Sequence, residues 1–380
     1  MEDQIQEKTD CRQVTKVKIC IVSPYDLFKT GGVTDHVKNL AKELANLSHE
    51  VTIIAPCSKK KNRLGKVKLI NVGSPIPVSF GSTAADICVS LRSILKVRSI
   101  FKKTDFDFVH IHEPLVPFVS ISSLIFAKNQ KILTFHASFK KSWIFKFWGF
   151  LFSYWINRDH RFIAVSEVAA NSLKNYGLNV KPEIIPNGVD FSRFERNKKS
   201  NNEFTRILFV GRNEHRKGVK TLLQAFSKLI DKYENLSLIL VGFGIDKLKK
   251  NYKNLPNCSF HPHKEDKELV DMFHNADIFC SPAIENESFG IVLLEAMASR
   301  LPVIASDIPG YREIIKDYSN GILFTPGNYD SLATKIEEII TDLSLRKRLS
   351  QQGQKYSRRF AWNTIAKKIY KQYQMGFIDG

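Results

Sequence analysis

No cysteine framework is present. The six cysteines, Cys11, Cys20, Cys57, Cys88, Cys258 and Cys280, are scattered, and none stands in a C-x-x-C pair. That excludes a disulfide scaffold and a cysteine zinc site, and implies the reduced thiols of a cytosolic protein. No window holds about 18 uninterrupted apolar residues, which excludes a membrane-spanning helix. Met1 to Val14 lacks an apolar core and is not a signal peptide; a frayed extension over residues 1–15 is expected. Acidic residues are scarce against basic ones, 38 to 57, leaving a net charge of +19 over 380 residues. The excess is spread over both halves, so the partner is an anion: nucleic acid, a membrane surface or a charged substrate. Helix-turn-helix, zinc-finger and aromatic RNA-binding signatures are missing, which leaves nucleic-acid binding as a remote alternative.

What is present is a doubled α/β pattern. With 43% hydrophobic and 11% aromatic residues the chain can fill two cores. In the first half, Val17–Ser23, Val51–Ala55, Phe108–Ile111, Ile132–Phe135 and Phe162–Val165 read as buried strands, with a helix from Val33 to about Leu47. The pattern restarts at Arg206–Val210, with a helix over Val219–Ile230. Strands follow at Leu236–Val241, Asp277–Cys280, Val303–Ala305 and Gly321–Phe324. Between the halves, Asn187–Asn202 has the polar, charged composition of a linker, and Ala361–Tyr373 reads as a final amphipathic helix. Alternating strands and helices predict parallel sheets covered by helices. Trp143–Ile156 is dense in aromatics and flanked by Lys140, Lys141 and Arg158; it reads either as a core helix or as an interfacial one.

Several loops carry candidate chemistry. Gly31-Gly32 stands between the first strand and helix, where backbone amides can approach a phosphate. Arg212, Arg216 and Lys217 follow the strand that opens the second half, a place to hold a diphosphate. Glu287 and Glu295 stand eight residues apart, which along a helix is about 12 Å and about 80° around. Such carboxylates can reach two ends of one ligand but are too far apart to share a proton. Ser288-Phe289-Gly290 is read as the start of that helix, offering free amides to an anion. His136 lies just past a strand's carboxyl end, where ligands bind. The His110-Ile111-His112-Glu113-Pro114 run is not expected to hold metal, because strand residues alternate between opposite faces and H-E-x-x-H spacing is lacking. No D-x-D pair follows a strand in a metal-binding setting either, so neither an essential bound metal nor a tightly bound cofactor is expected.

Taken in order, these motifs resemble glycosyltransferase family 4, retaining enzymes of the GT-B fold. The resemblance runs from Val17 to about Asp330 through Gly31-Gly32-Val33, His110–Pro114, Thr134-Phe135-His136, Pro186–Asp190, Gly211-Arg212 with Lys217-Gly218, and Glu287–Gly290 with Glu295. Pro24-Tyr25, His112-Glu113-Pro114, Thr134–Ser138 and Glu287–Val292 are most similar to the phosphatidylinositol alpha-mannosyltransferases. The resemblance implies two Rossmann-like domains facing across a cleft. It divides the chain into an acceptor-side domain over 16–190, a linker over 191–203, a nucleotide-sugar domain over 204–360, and a helical segment over 361–380 that crosses back to the first domain.

It further implies a hexosyltransferase moving mannose from GDP-mannose to a phosphatidylinositol-type headgroup, located in the cytoplasm and peripherally on the membrane face. Catalysis would rest on His136, Arg212, Lys217 and Glu287. Gly31, Gly32, Arg212, Lys217, Glu287, Ser288, Phe289, Gly290 and Glu295 would hold the donor, and Tyr25 and Lys141 would face the acceptor. One departure bears on the acceptor. The stretch after Pro75-Ile76-Pro77 reads Gly81–Ile87 without the arginines of the mannosyltransferases; Arg92, Lys96, Arg98, Lys102 and Lys103 offer a substitute basic surface. A family member using a UDP-sugar with another lipid or a polysaccharide is the alternative.

Overall fold

A computed structural model describes residues 16–80, 83–136, 143–156, 158, 160–195, 204–285 and 287–375. The first sheet contains β1 (Lys18–Val22), β2 (Glu50–Ala55), β3 (Arg63–Leu64) and β4 (Val67–Asn71). A separate hairpin, β5 (Ile76–Phe80) and β6 (Thr83–Ile87), interrupts it before β7 (Phe108–His112), β8 (Lys131–Phe135), β9 (Arg161–Ala164) and β10 (Glu183–Ile184). The order across this sheet is β10-β9-β8-β7-β1-β2-β4-β3, parallel except for β3. Ile19, Ile21 and Val22 are fully buried, as continuous apolar runs covered on both faces must be.

The second sheet is built from β11 (Thr205–Val210), β12 (Leu236–Val241), β13 (Cys258–His261), β14 (Ile278–Ser281), β15 (Val303–Ser306) and β16 (Ile322–Phe324). Its order, β13-β12-β11-β14-β15-β16, is parallel throughout. Each sheet reverses direction beside its first strand, between β1 and β7 and between β11 and β14. Ligands bind beyond the strand ends at such switch points. The loops that leave β1, β7 and β8 therefore face the loops that leave β11 and β14. This is the expected pair of Rossmann-like domains across a cleft.

The connection between domains differs from the polar linker composition suggests. Asn187, Val189 and Phe194 are buried, and a short helix forms over Phe191–Phe194. Phe194 packs edge-on to Phe273, and the Val189 amide donates to Phe360 O at 2.8 Å. A few apolar residues among charges were enough to dock this segment; residues 196–203 lie outside the described residues. The last helix, Trp362–Met375, returns from the second domain and buries Trp362, Ile365, Ile369 and Tyr373 in the core of the first.

Trp143–Ile156 resolves into two short helices with two faces. Trp148, Phe152 and Trp155 pack on the core, and the Trp148 indole donates to Leu115 O at 2.8 Å. Phe147, Phe150, Leu151 and Tyr154 point outward, Phe150 at 76% exposure. The helix Leu91–Lys103, which packs beside Val119–Phe126 on the same side, likewise exposes Leu91 and Leu95 among Arg92, Lys96, Lys102 and Lys103. Among the described residues no helix is long and apolar enough to cross a membrane.

Candidate functional site

The second domain contributes a charged loop cluster. After β11 the chain makes a single turn, His215–Lys217, and Gly218 then adopts φ 66° as the helix Val219–Ile230 begins. A Cβ on Gly218 would stand 1.8 Å from Pro282 O, so only glycine lets this loop close on the one after β14. The Ile284 amide donates to Arg216 O at 2.7 Å and ties the two together. Glu287 Oε1 consequently accepts from Arg216 Nη1 at 2.5 Å and pairs with Lys217 Nζ at 2.6 Å. Arg216 Nε also donates to Glu214 at 2.7 Å. Arg212 lies more openly, 3.7 Å from Glu214 and over the Phe243 ring.

The helix Ile291–Ala298 starts later than its sequence suggests. Gly290 is its N-cap at φ 91°, where a Cβ would press into the Tyr311 ring at 2.7 Å. Ser288 and Phe289 precede the helix and Phe289 is buried, while no side chain caps the first-turn amides. Glu287 therefore sits on a loop, and the helical spacing between Glu287 and Glu295 does not apply. Only Glu295 is helical. Burial, and next the Asp35 carboxylate, push its carboxyl up to about 7; Arg193 opposes the shift.

Gly31 and Gly32 meet this wall from the other side. Gly31 is extended backbone, no side chain caps the Gly32–Asn46 helix, and a Cβ on Gly32 would lie 3.7 Å from Ile291. Thr30 Oγ1 donates to Glu265 at 3.2 Å across the cleft. Asp35, His36 and Lys38 face His263, Glu265 and Glu295 over a cavity of about 280 Å³. A second crossing lies further out: Glu313 accepts from the amides of Glu167 and Val168, each at 3.1 Å.

The first domain contributes histidines. His110 and His112 stand two residues apart on one face of β7 and stack at 4.3 Å. The alternation argument separates neighbours and does not apply to this pair. His110 bonds Tyr373 OH at 2.8 Å and Thr134 Oγ1 at 2.6 Å. Nδ1 of His112 and Nε2 of His136 share a hydrogen bond at 2.8 Å, and Glu113 Oε1 accepts from the His136 backbone amide at 2.8 Å. His36 bonds Asn187 through Nδ1 at 2.8 Å and meets the Trp362 ring edge-on. Burial holds all four rings neutral: His36 is lowered to about 4, and the others fall well below the usual range.

Ring nitrogens of His36, His112 and His136 lie within 4.8 Å of one another, the one group among the described residues that could gather on a metal ion. A tetrahedral ion with bonds of about 2.0–2.1 Å would need ligand spacings shorter than the widest of these and longer than the 2.8 Å pair. The arrangement fits a hydrogen-bonded cluster better.

Of the predicted residues, Glu295 lines the cavity, Gly32 faces Ile291, Lys217 pairs with Glu287, Arg212 lies beside Glu214, and His136 is bonded to His112. Tyr25 follows β1, bridges to Ile87, and has its hydroxyl pushed well up by burial and then by the Glu113 and Tyr176 charges. Lys141 lies outside the described residues. Arg216 was read as one of the loop cations that could hold a diphosphate but not as a site residue, and its contact with Glu287 joins residues far apart in sequence. Asn187 carried no signal beyond lying within the Pro186–Asp190 motif, His36 none beyond its place after Gly31-Gly32-Val33, and Asp35 none at all.

Two Rossmann-like domains that close on cations, carboxylates and uncapped helix amides define the GT-B class of sugar transferases. The family described as Glycosyltransferase Family 4 matches residues 30–193, and that described as Glycosyl transferases group 1 matches residues 190–356. The phosphatidyl-myo-inositol mannosyltransferase of Mycolicibacterium smegmatis is 32% identical over 365 residues, covering 94% of each chain. That of Mycobacterium leprae is 29% identical, covering 96% of this chain and 98% of its own. A glycosyltransferase crystal structure from Rickettsia africae superposes with a TM-score of 0.79 at 23% identity, covering 96% of this chain and 100% of its own. The chain belongs to glycosyltransferase family 4.

Proposed function

We propose that the chain transfers mannose from GDP-mannose to a phosphatidylinositol-type headgroup on the cytoplasmic membrane face, with retention at the anomeric carbon. The observation that carries this reading is the identity to the Mycolicibacterium smegmatis enzyme along nearly the whole of both chains. In the proposal, residues 204–360 hold the donor and residues 16–190 the acceptor. The hard step is departure of the nucleoside diphosphate, which leaves positive charge on the sugar and negative charge on the phosphate oxygen. Arg212, Lys217 and the free amides around Ser288, Phe289 and Gly290 stabilise that negative charge. The Gly31-Gly32 loop closes over the diphosphate.

Glu287, which pairs with Arg216 and Lys217, accepts hydrogen bonds from the transferred sugar. Glu295, in the wall of the cavity, accepts from the ribose hydroxyls, and His136 lies against the sugar and its phosphate. Tyr25 and Lys141 face the headgroup, whose hydroxyl attacks from the side the diphosphate leaves.

The outward aromatic side chains Phe147, Phe150 and Tyr154, with Leu91 and Leu95 among lysines and arginines, form the membrane-facing surface. Incubating the protein with membranes and a panel of GDP- and UDP-sugars tests the proposal by product mass. A hexose added to an inositol phospholipid from GDP-mannose alone supports it. Turnover only with a UDP-sugar favours the alternative donor. Co-sedimentation with anionic but not neutral vesicles, weakening with salt, supports the membrane surface; equal binding to both counts against it.

A further inference from the structure

The histidine cluster holds more than its proximity to the cleft. His110, His112 and His36 are no more than 1% exposed and His136 is 5% exposed. A neutral imidazole carries one proton, and the partner of each nitrogen decides where it sits. His110 does not constrain the cluster, because Tyr373 and Thr134 hydroxyls can each donate or accept. His36 does. Its Nδ1 faces the carbonyl oxygen of Asn187, so Nδ1 bears the proton and Nε2 keeps a lone pair, buried and without a hydrogen-bond partner among the described residues.

The pair His112–His136 has two neutral arrangements. If His136 Nε2–H donates, His112 accepts on Nδ1 and must carry its own proton on Nε2. That atom is buried with no partner among the described residues, so a donor would be left orphaned. If His112 Nδ1–H donates, its Nε2 keeps only a lone pair, and His136 takes its proton on Nδ1. Unpaired buried N–H groups are rarer in proteins than under-used acceptors, because an orphaned donor forfeits its full hydration. The second arrangement also repeats the one imposed on His36, with an unpaired acceptor in each ring and an unpaired donor in neither.

We infer that His112 is a positioning residue that fixes His136 as its neutral Nδ1–H tautomer, making His136 a stationary hydrogen-bond donor and not an acid. The His136 ring proton is held on the nitrogen not bonded to His112, while the Glu113 contact fixes its backbone and the Asn187 side chain hydrogen-bonds the ring. His110 stacks behind His112 and is itself held by Tyr373 of the last helix, so a segment that follows the second domain supports the pair. The burial that lowers the affinity of all four rings for a second proton keeps the pair neutral. The consequence for transfer rests on the proposed placing of His136 against the donor; the tautomer does not.

Long-range proton–nitrogen correlation NMR on the full chain, labelled in its ten histidines, reads the tautomer directly. Spectra of His136→Ala and His112→Asn assign the two rings. The expected result is a protonated Nδ1 and an unprotonated, hydrogen-bonded Nε2 on His136. Protonated Nε2, an imidazolium at neutral pH, or one transition-metal ion per purified chain would overturn the inference. In His112→Asn the side-chain amide supplies a donor where Nδ1 stood, and both the His136 spectrum and kcat should stay near wild type. In His112→Leu the two tautomers should mix and kcat fall about tenfold with donor KM little changed. A single unchanged tautomer in a folded His112→Leu chain would refute the positioning role, and should that variant not fold, the wild-type spectrum still decides. Full turnover by His136→Ala would count against the donor-facing role alone.

Discussion

Compared with the histidine cluster of the first domain, the loop cluster of the second is charged, partly open and paired across two loops. Arg216 and Lys217 converge on one oxygen of Glu287, and Arg212 stands outside that knot with 38% of its side chain exposed. The histidines are uncharged and closed in, and Tyr373 and Trp362 of a single helix brace them. The charged wall can exchange partners when an anion arrives, since Glu287 can give up a cation and accept a hydroxyl. The histidine wall has no such freedom, and its work is to hold one geometry. One cleft thus joins a side that rearranges to a side that does not.

The largest effect should come from the charged wall. Arg212→Ala should lower kcat about 100–1000-fold, the range for losing one donor to a developing negative charge, with an unchanged circular dichroism spectrum. Turnover near wild type would remove Arg212 from the transition state and with it the contrast drawn here. Glu287→Gln should separate binding from chemistry. It loosens the hold on Lys217 and leaves Arg216 paired only with Glu214, so GDP should bind at least as tightly by calorimetry while turnover falls about tenfold or more. Weaker GDP binding would mean that Glu287 positions the cations more than it restrains them.

A moderate effect is expected at Glu295, whose carboxyl is raised from 4.5 to about 7. Without ligand, the folded chain holds that proton better than the unfolded chain does. This group's contribution to stability should therefore fall as pH rises from about 4.5 to about 7. GDP binding should move the opposite way, strengthening as pH rises through about 7, because in the proposed placing only the carboxylate would accept from both ribose hydroxyls. Below that point the slope approaches about tenfold per pH unit. Glu295→Gln should flatten both profiles; a binding profile that stays steep would place the titrating group elsewhere.

Much of the fold was legible because buried parallel strands are written as continuous apolar runs. Leu236–Val241 and the helix Val219–Ile230 were read with their observed limits, and other strands to within a residue or two. β3, β4, the β5–β6 hairpin, β10 and β13 were missed, since their short runs lack that hydrophobic density. At the site, sequence located the loops but not the partners. Nothing local in Glu287 announces Arg216, and the helix starts at Ile291 because Gly290 turns in the left-handed region, which a helical count from Glu287 ignores. The histidine cluster was least legible: positions 36, 110, 112, 136, 187 and 373 meet only after the last helix has crossed back. Asn187, in a stretch that reads as linker, is a buried hydrogen-bond partner there.

The smallest effect tests the comparison through salt. Screening shortens from a Debye length of about 10 Å at 0.1 M to about 3 Å at 1 M, and it acts on charges that water reaches. Arg212 is such a charge, while Lys217, 19% exposed and paired, is sheltered. GDP affinity should therefore weaken only severalfold across that range, and by less in Arg212→Ala, where the open cation is gone. The His112–His136 hydrogen bond joins two neutral rings out of contact with bulk ions, so its NMR signature should not move at all. A GDP affinity indifferent to salt would mean that the charged wall is as closed as the histidine wall. A tautomer signal that drifted with salt would mean that the histidine wall carries charge after all.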